Sequence, residues 1–194
     1  MLLILADNET NRLKYITGLM LSDMLGLEVK VTASADEFHG YEGLKLAYTR
    51  EPTEDSLHIF PSGLLSETGI TEQQTGFFKA DELPMLFPSK DPRASLPFDP
   101  FSAGFYMVSR YEEYLPHQKD RYGRFVPAES IAWKGKFLDK PVVHLWSGMI
   151  GEMLLQRYPL LQFRRPDYRF LPTIDIDHAY CYLCRRPVRT MGGI

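Results

Sequence analysis

An apolar run, Leu2-Leu3-Ile4-Leu5-Ala6, heads the chain and breaks off at Asp7-Asn8-Glu9. A secretory signal needs a basic start and a longer apolar stretch, about 7–15 residues. The run therefore reads as a short buried strand, and the expected location is the cytoplasm. Asn8 or Thr10 then offers a helix N-cap, and Leu13, Ile16, Met20 and Met24 recur at helical spacing up to Gly26, a natural stop. Residues 27–32, Leu-Glu-Val-Lys-Val-Thr, alternate and read as a second strand. Strand, helix and strand in this order predict an α/β fold. A βαβ opening is also where nucleotide-binding folds cradle phosphate. No glycine lies between this first strand and its helix, so no backbone loop can close around a phosphate there. That function is rejected on the sequence.

Further along, Leu44-Lys45-Leu46-Ala47-Tyr48 and Leu57-His58-Ile59-Phe60 read as strands on either side of a turn-rich stretch. Residues 61–97 carry Pro61, Gly63, Gly69, Gly76, Pro84, Pro88, Pro92 and Pro97, which predicts short strands and loops. Phe98, Phe101, Phe105, Val108 and Leu115 predict one amphipathic helix running to about Leu115. Asp120-Arg121-Tyr122-Gly123-Arg124 is a turn signal. Val142, Leu145, Trp146, Met149, Ile150, Met153 and Leu154 follow the i, i+3, i+4, i+7 pattern of a helix that Pro159 closes. Tyr168-Arg169-Phe170-Leu171-Pro172-Thr173-Ile174 reads as a strand with an aromatic face, and residues 160–170 as a domain boundary. The expected architecture is an α/β domain over residues 1–165, with a short mixed sheet and flanking helices, then the start of a second unit over 166–194.

Charge is distributed unevenly. Residues 1–90 carry 7 Lys/Arg against 14 Asp/Glu, residues 91–154 carry 8 against 8, and residues 155–194 carry 7 arginines against 3 aspartates. The terminal arginines sit in Pro-rich sequence without a stacking platform or a helix-turn-helix pattern, so no nucleic-acid partner is expected. Arg164, Arg165 and Arg169 are expected to pair with the acidic part of the same chain. No apolar run approaches the roughly 18–20 residues of a membrane span. The two cysteines, Cys181 and Cys184, form half of a four-ligand zinc site at most, and read as free thiols in a reducing compartment.

The chemistry-bearing motif is Thr173-Ile174-Asp175-Ile176-Asp177-His178. Metal-assisted hydrolysis needs one carboxylate as ligand and another group as general base toward metal-bound water, and Asp-x-Asp supplies both types from one short piece. Aspartates in a loop are more often solvated or capping a helix. His178 is adjacent and is a candidate ligand.

The segment from Phe170 to Tyr180 resembles the start of the catalytic domain in bacterial polysaccharide deacetylases of carbohydrate esterase family 4. Four upstream stretches resemble the uncharacterised domain that precedes that catalytic domain in Bacteroidetes proteins. They are Pro61-Ser62-Gly63-Leu64-Leu65, Leu96-Pro97-Phe98-Asp99-Pro100-Phe101, Ser109-Arg110-Tyr111-Glu112-Glu113-Tyr114-Leu115-Pro116-His117 and Asp120-Arg121-Tyr122-Gly123-Arg124-Phe125. The resemblance covers essentially the whole chain. It implies a distorted (β/α) barrel, begun but not completed here, that removes acetyl groups from a polysaccharide or peptidoglycan-like glycan with a divalent metal such as zinc. It makes Asp175 the general base and Asp177 a metal ligand. The family's further ligands are a His-x-x-x-His pair, and these 194 residues contain none. The chain alone is therefore expected to be inactive and to bind no metal tightly. The alternative expectation is a non-catalytic glycan-binding, protein-binding or structural module.

Arg110, Glu112, Glu113 and His117 are candidates for a polar pocket, against the plainer reading of an Arg–Glu pair and a capping histidine. Phe105, Tyr106, Tyr111, Tyr114 and Trp133 are candidates for stacking on sugar rings, against a place in the core. His144 is expected to be structural. A lone strand at residues 168–174 leaves its ladder groups unpaired, so residues 167–194 are expected to pair with the sheet, to associate with another chain as in a homodimer, or to be poorly ordered.

Overall fold

The structure, a computed structural model, describes residues 1–53, 56–80, 82–163 and 168–175. Strand β1 (Leu2–Ala6) is buried along its whole length. It lies between β2 (Val29–Thr32) and β3 (Leu44–Tyr48), and β4 (Leu57–His58) extends the sheet beyond β3. All the pairings in the order β2-β1-β3-β4 are parallel, with Ile4 opposite Val31 and Leu46. The expected mixed sheet is thus corrected to a parallel one. The antiparallel pair, β5 (Phe78–Ala80) with β6 (Leu83–Met85), is a separate ribbon. Parallel strands need crossovers on the sheet faces, which is why β1 reads as an unbroken apolar run instead of an alternating one.

The crossovers lie on opposite faces. Helix α1 (Asn11–Thr17) starts at Thr10, whose hydroxyl accepts from Leu13 N at 3.1 Å, and places Leu13 and Ile16 against Leu2, Ile4 and Leu46. A π-helical stretch, Gly18–Asp23, continues it, and Met20 O there accepts the Ser147 hydroxyl at 2.5 Å. Helix α2 (Ala35–Gly40) covers the other face, where Phe38 meets Leu3, Leu5 and Ala47. The sequence reading missed α2. Its signal was present, because Ser34 caps Glu37 N at 3.2 Å in a Ser-x-x-Glu start.

The larger core forms where α3 (Pro100–Val108) and α5 (Val142–Arg157) pack on the α1 side. Trp146 is fully buried, donates its indole N–H to Pro84 O at 2.8 Å, and meets Phe98 edge-on at 5.9 Å. Helices α1 and α3 approach closely at Gly104, where an added Cβ would lie 2.6 Å from Met20 Sδ. Asp99, 1% exposed, is the polar centre of this core. One carboxylate oxygen caps α3 by accepting from Phe101 N and Ser102 N, and the other accepts the Tyr48 hydroxyl and Ser62 N, both at 2.8 Å. Burial and the Asp99 charge together hold the Tyr48 hydroxyl well above its ordinary pKa.

The helix expected from Phe98 to Leu115 is divided. Helix α3 ends at Val108, Arg110 adopts a left-handed backbone (φ 52°), and a 3-10 turn spans Tyr111–Tyr114. A left-handed residue cannot continue an α-helix, so the apolar spacing carries across a break. The strand expected at Tyr168 to Ile174 is also corrected: residues 168–175 are neither helix nor strand, and all are exposed. Among the described residues no strand pairs with them, and an extended segment without a ladder gains no strand hydrogen bonds.

Candidate functional site

In an open parallel sheet, ligands favour the carboxyl ends of the strands where the chain reverses its winding, here between β1 and β3. In this protein the segment after β4 fills that crevice. Thr10 Oγ1 donates to Leu65 O at 2.6 Å, and the Arg12 guanidinium donates to Leu64 O at 2.9 Å and to Gly69 O. The remaining void, bounded by Asp7, Asn8, Tyr48 and Pro61, is about 10 Å³, too small for a phosphate. The absence of a glycine loop and the filled crevice agree.

Two open concavities lie instead along residues 110–139. The first, about 690 Å³, is lined by Arg110, Glu113, His117, Lys119, Asp120, Gly123, Arg124, Phe125 and Pro127. Of the four residues expected in a polar pocket, Arg110, Glu113 and His117 come together here. Glu112 points the other way and accepts Ile131 N at 2.9 Å, and its half-buried position raises its carboxyl above the ordinary value. Arg110 pairs with Glu113, and His117 Nδ1 is 2.8 Å from Leu115 O, so the plain Arg–Glu pair exists within the concavity.

The opposite wall is a hairpin closed by a bridge between Lys119 and Phe125. Asp120 organises it. One carboxylate oxygen accepts Tyr122 N and Arg124 N at 2.8 and 2.9 Å, and the other takes the Arg124 guanidinium at 3.0 and 2.9 Å. The Arg124 backbone N–H is the main reason this carboxyl titrates below the usual range. The guanidinium groups of Arg121 and Arg124 stand 4.6 and 4.8 Å from the Tyr122 ring. The sequence marks this segment as a turn and as a stretch of family resemblance, and gives no sign that Lys119, Arg124 and Phe125 line a concavity.

The second concavity, about 670 Å³, is lined by Ala132, Trp133, Lys136, Leu138 and Asp139. Trp133 sits on the single turn of α4 (Ile131–Lys134), capped by Ser130, and is 55% exposed. Lys136 follows with a left-handed backbone (φ 57°). Residues 127–133 carry the chain from the lining of the first concavity to that of the second. The aromatic candidates therefore separate. Tyr106 and Tyr111 stack on each other at 5.3 Å in the core, Phe105 lies under Arg12 at 5.4 Å, and only Tyr114 and Trp133 remain exposed.

Asp175 is solvent-exposed, while Asp177, His178, Cys181, Cys184, Arg164 and Arg165 lie outside the described residues. Arg169 is exposed, and His144 lies on the outer side of α5. Among the described residues no three His, Cys, Asp or Glu side chains form a group that could hold a metal ion. Asp175 belongs to no such group among the described residues. No helix among them is long and apolar enough to cross a membrane.

Residues 2–159 match the model of a family of unknown function, DUF7033. The chain belongs to that family. Neither a curated protein nor a solved structure matches it. The DUF7033 match takes in every strand and helix described above and both concavities, and stops short of Asp175.

Proposed function

We propose that the DUF7033 module is a non-catalytic glycan-binding unit that presents a polysaccharide to a metal-dependent carbohydrate deacetylase. The observation that carries the binding half is Trp133. A tryptophan side chain normally hides most of its area, as Trp146 does, yet Trp133 is 55% exposed on the wall of an open groove. An exposed aromatic face flanked by Lys136 and Asp139 suits a sugar, whose carbon face stacks while its hydroxyls meet charged groups. Lys136 keeps a backbone conformation that costs a non-glycine residue about 1 kcal/mol, a cost often found at binding sites.

The deacetylase half rests on the resemblance of residues 170–180. In that reading Asp175 is the general base and Asp177 a ligand of a zinc-like ion, with His178 beside them, and a glycan such as peptidoglycan is the substrate. The chain itself contains no His-x-x-x-His pair and is expected to show no deacetylase activity alone. A glycan array probed with the intact chain tests the binding half. Specific signals that disappear in Trp133→Ala support it, and no signal above background overturns it. Calorimetric titration with zinc tests the expected inactivity of these 194 residues alone, because a stoichiometric submicromolar site would contradict it.

A second reading, association with another protein chain or a second copy, is favoured by Tyr168, Phe170, Leu171 and Ile174, which are 75–90% exposed. Sedimentation velocity over a hundredfold concentration range distinguishes the two. A concentration-dependent dimer lost in Phe170→Ser/Leu171→Ser supports association through this segment.

A further inference from the structure

The concavity between Arg110 and the Lys119–Phe125 hairpin has unusual polar chemistry: each of its carboxylates is already paired with an arginine. Glu113 is committed to Arg110. Asp120 is committed to two backbone N–H groups and to the Nε edge of Arg124. Three cations and two carboxylates line the space, an excess of one positive charge. Lys119 is exposed and has no carboxylate partner among the described residues. The charged groups left facing the space are donors: the guanidinium N–H groups not held by Glu113 or Asp120, and the Lys119 ammonium. Beneath them lie Phe125, which meets the His117 ring at 5.1 Å, and Pro127.

Both carboxylates are already paired with arginines, which serves a metal cation poorly, and the excess of donors leaves the hydroxyl protons of a neutral sugar few partners. An anionic group on a ring satisfies both surfaces, with its oxygens on the donors and its carbon face on Phe125 and Pro127. Arg110 adds an independent sign. It occupies the left-handed position that ends α3, where glycine is the stable choice, and its side chain lines the concavity. Strain retained by a non-glycine residue whose side chain faces a concavity fits a binding role.

We propose that this concavity binds an acidic sugar residue, its carboxylate held by Arg110, Lys119 and Arg124. The proposal rests on the glycan-binding reading and names the class of sugar. It also predicts that the charged sugar is one unit of a longer chain, since only a few residues separate Pro127 in the charged site from Trp133 in the second concavity.

The test is calorimetric titration of the full chain at low salt with trigalacturonate, a sulfated disaccharide, maltotriose, acetate and inorganic phosphate. Trigalacturonate should bind about tenfold tighter than maltotriose, the difference that hydrogen bonds to a charged group supply, and should weaken as salt rises. Lys119→Gln should lose most of that preference. Arg110→Gly should lose it too while melting no lower than the parent, because glycine relieves the left-handed backbone. Tighter binding of the sulfated disaccharide than of trigalacturonate overturns the carboxylate assignment. Equal binding of maltotriose and trigalacturonate overturns the acidic-sugar inference and leaves glycan binding standing. Acetate or phosphate binding as tightly as trigalacturonate shows an adventitious ion only, and overturns it. Binding of no saccharide overturns both readings. Undiminished affinity in Arg110→Gly and Lys119→Gln removes this site from consideration.

Discussion

Replacing Asp99 with alanine removes one buried carboxylate on which four donors converge from three parts of the chain. The cap of α3 is worth about 1 kcal/mol, with a range of about 0.5–2. The Tyr48 hydroxyl loses a charged acceptor, worth about 1.5–3 kcal/mol. That loss is softened because Ser102 Oγ, at 3.3 Å, still offers a partner. Ser62 N is on an exposed residue, where water can replace the carboxylate, so its share is about 0.5–1.5 kcal/mol. The sum is about 2.5–6.5 kcal/mol, a large part of the roughly 5–15 kcal/mol that stabilises an ordinary domain. Urea unfolding followed by far-ultraviolet circular dichroism measures it. Tyr48→Phe serves as the control, since Asp99 then keeps its other three donors, and should cost about 1–2 kcal/mol. A loss below about 1 kcal/mol for Asp99→Ala, or a larger loss for Tyr48→Phe, would refute the view that Asp99 ties β3, the post-β4 loop and α3 together.

Three further outcomes follow from the packing and the charges. Glu112 has a raised carboxyl pKa, from burial first, so the folded state takes up its proton before the unfolded chain does and stability falls as pH rises through the folded value. Glu112→Gln keeps an acceptor for Ile131 N and should melt at or above the parent at pH 7, with the difference closing in acid; a lower melting point at pH 7 would contradict this. Asp91 is held at about 2, chiefly by the Arg93 side chain and backbone N–H. Its contribution is present above the ordinary carboxylate value and is lost as pH falls toward 2, so carbon-detected NMR should show the Asp91 midpoint rise in Arg93→Gln, and an unmoved midpoint would discount the pair. Gly104→Val should destabilise by about 2 kcal/mol or more, because Met20 Sδ and Ile16 Cδ1 already lie 2.6 and 3.2 Å from where the first added carbon would go. A neutral result in urea melts would mean that α1 and α3 pack less tightly than described.

The strands and the longest helix were legible because their patterns are local. The apolar run Leu2–Ala6 and the periodicity through Val142–Arg157 each need only their own residues. The parallel pairing of β3 with β1 was not legible, since it depends on α2 crossing on the opposite face, and α2 is short enough for its apolar content to reduce to Phe38. The break at Arg110 was hidden because apolar spacing continues across a left-handed residue that carries no glycine to mark it. Arg110, Glu113 and His117 could be named together because they are close in sequence. Lys119 and Arg124 complete the same concavity only because Asp120 folds the hairpin back, and that geometry is tertiary.

The two indole N–H groups offer the most direct test of glycan binding. Trp146 donates its N–H to Pro84 O inside the core, whereas Trp133 stands in the open groove. In a nitrogen–proton NMR spectrum of the labelled chain, titration with a bound oligosaccharide should shift the Trp133 indole signal along a saturable curve and leave the Trp146 signal in place. If Trp133 stays fixed while the protein binds the sugar, or if both signals move together, the module does not bind glycans through this groove.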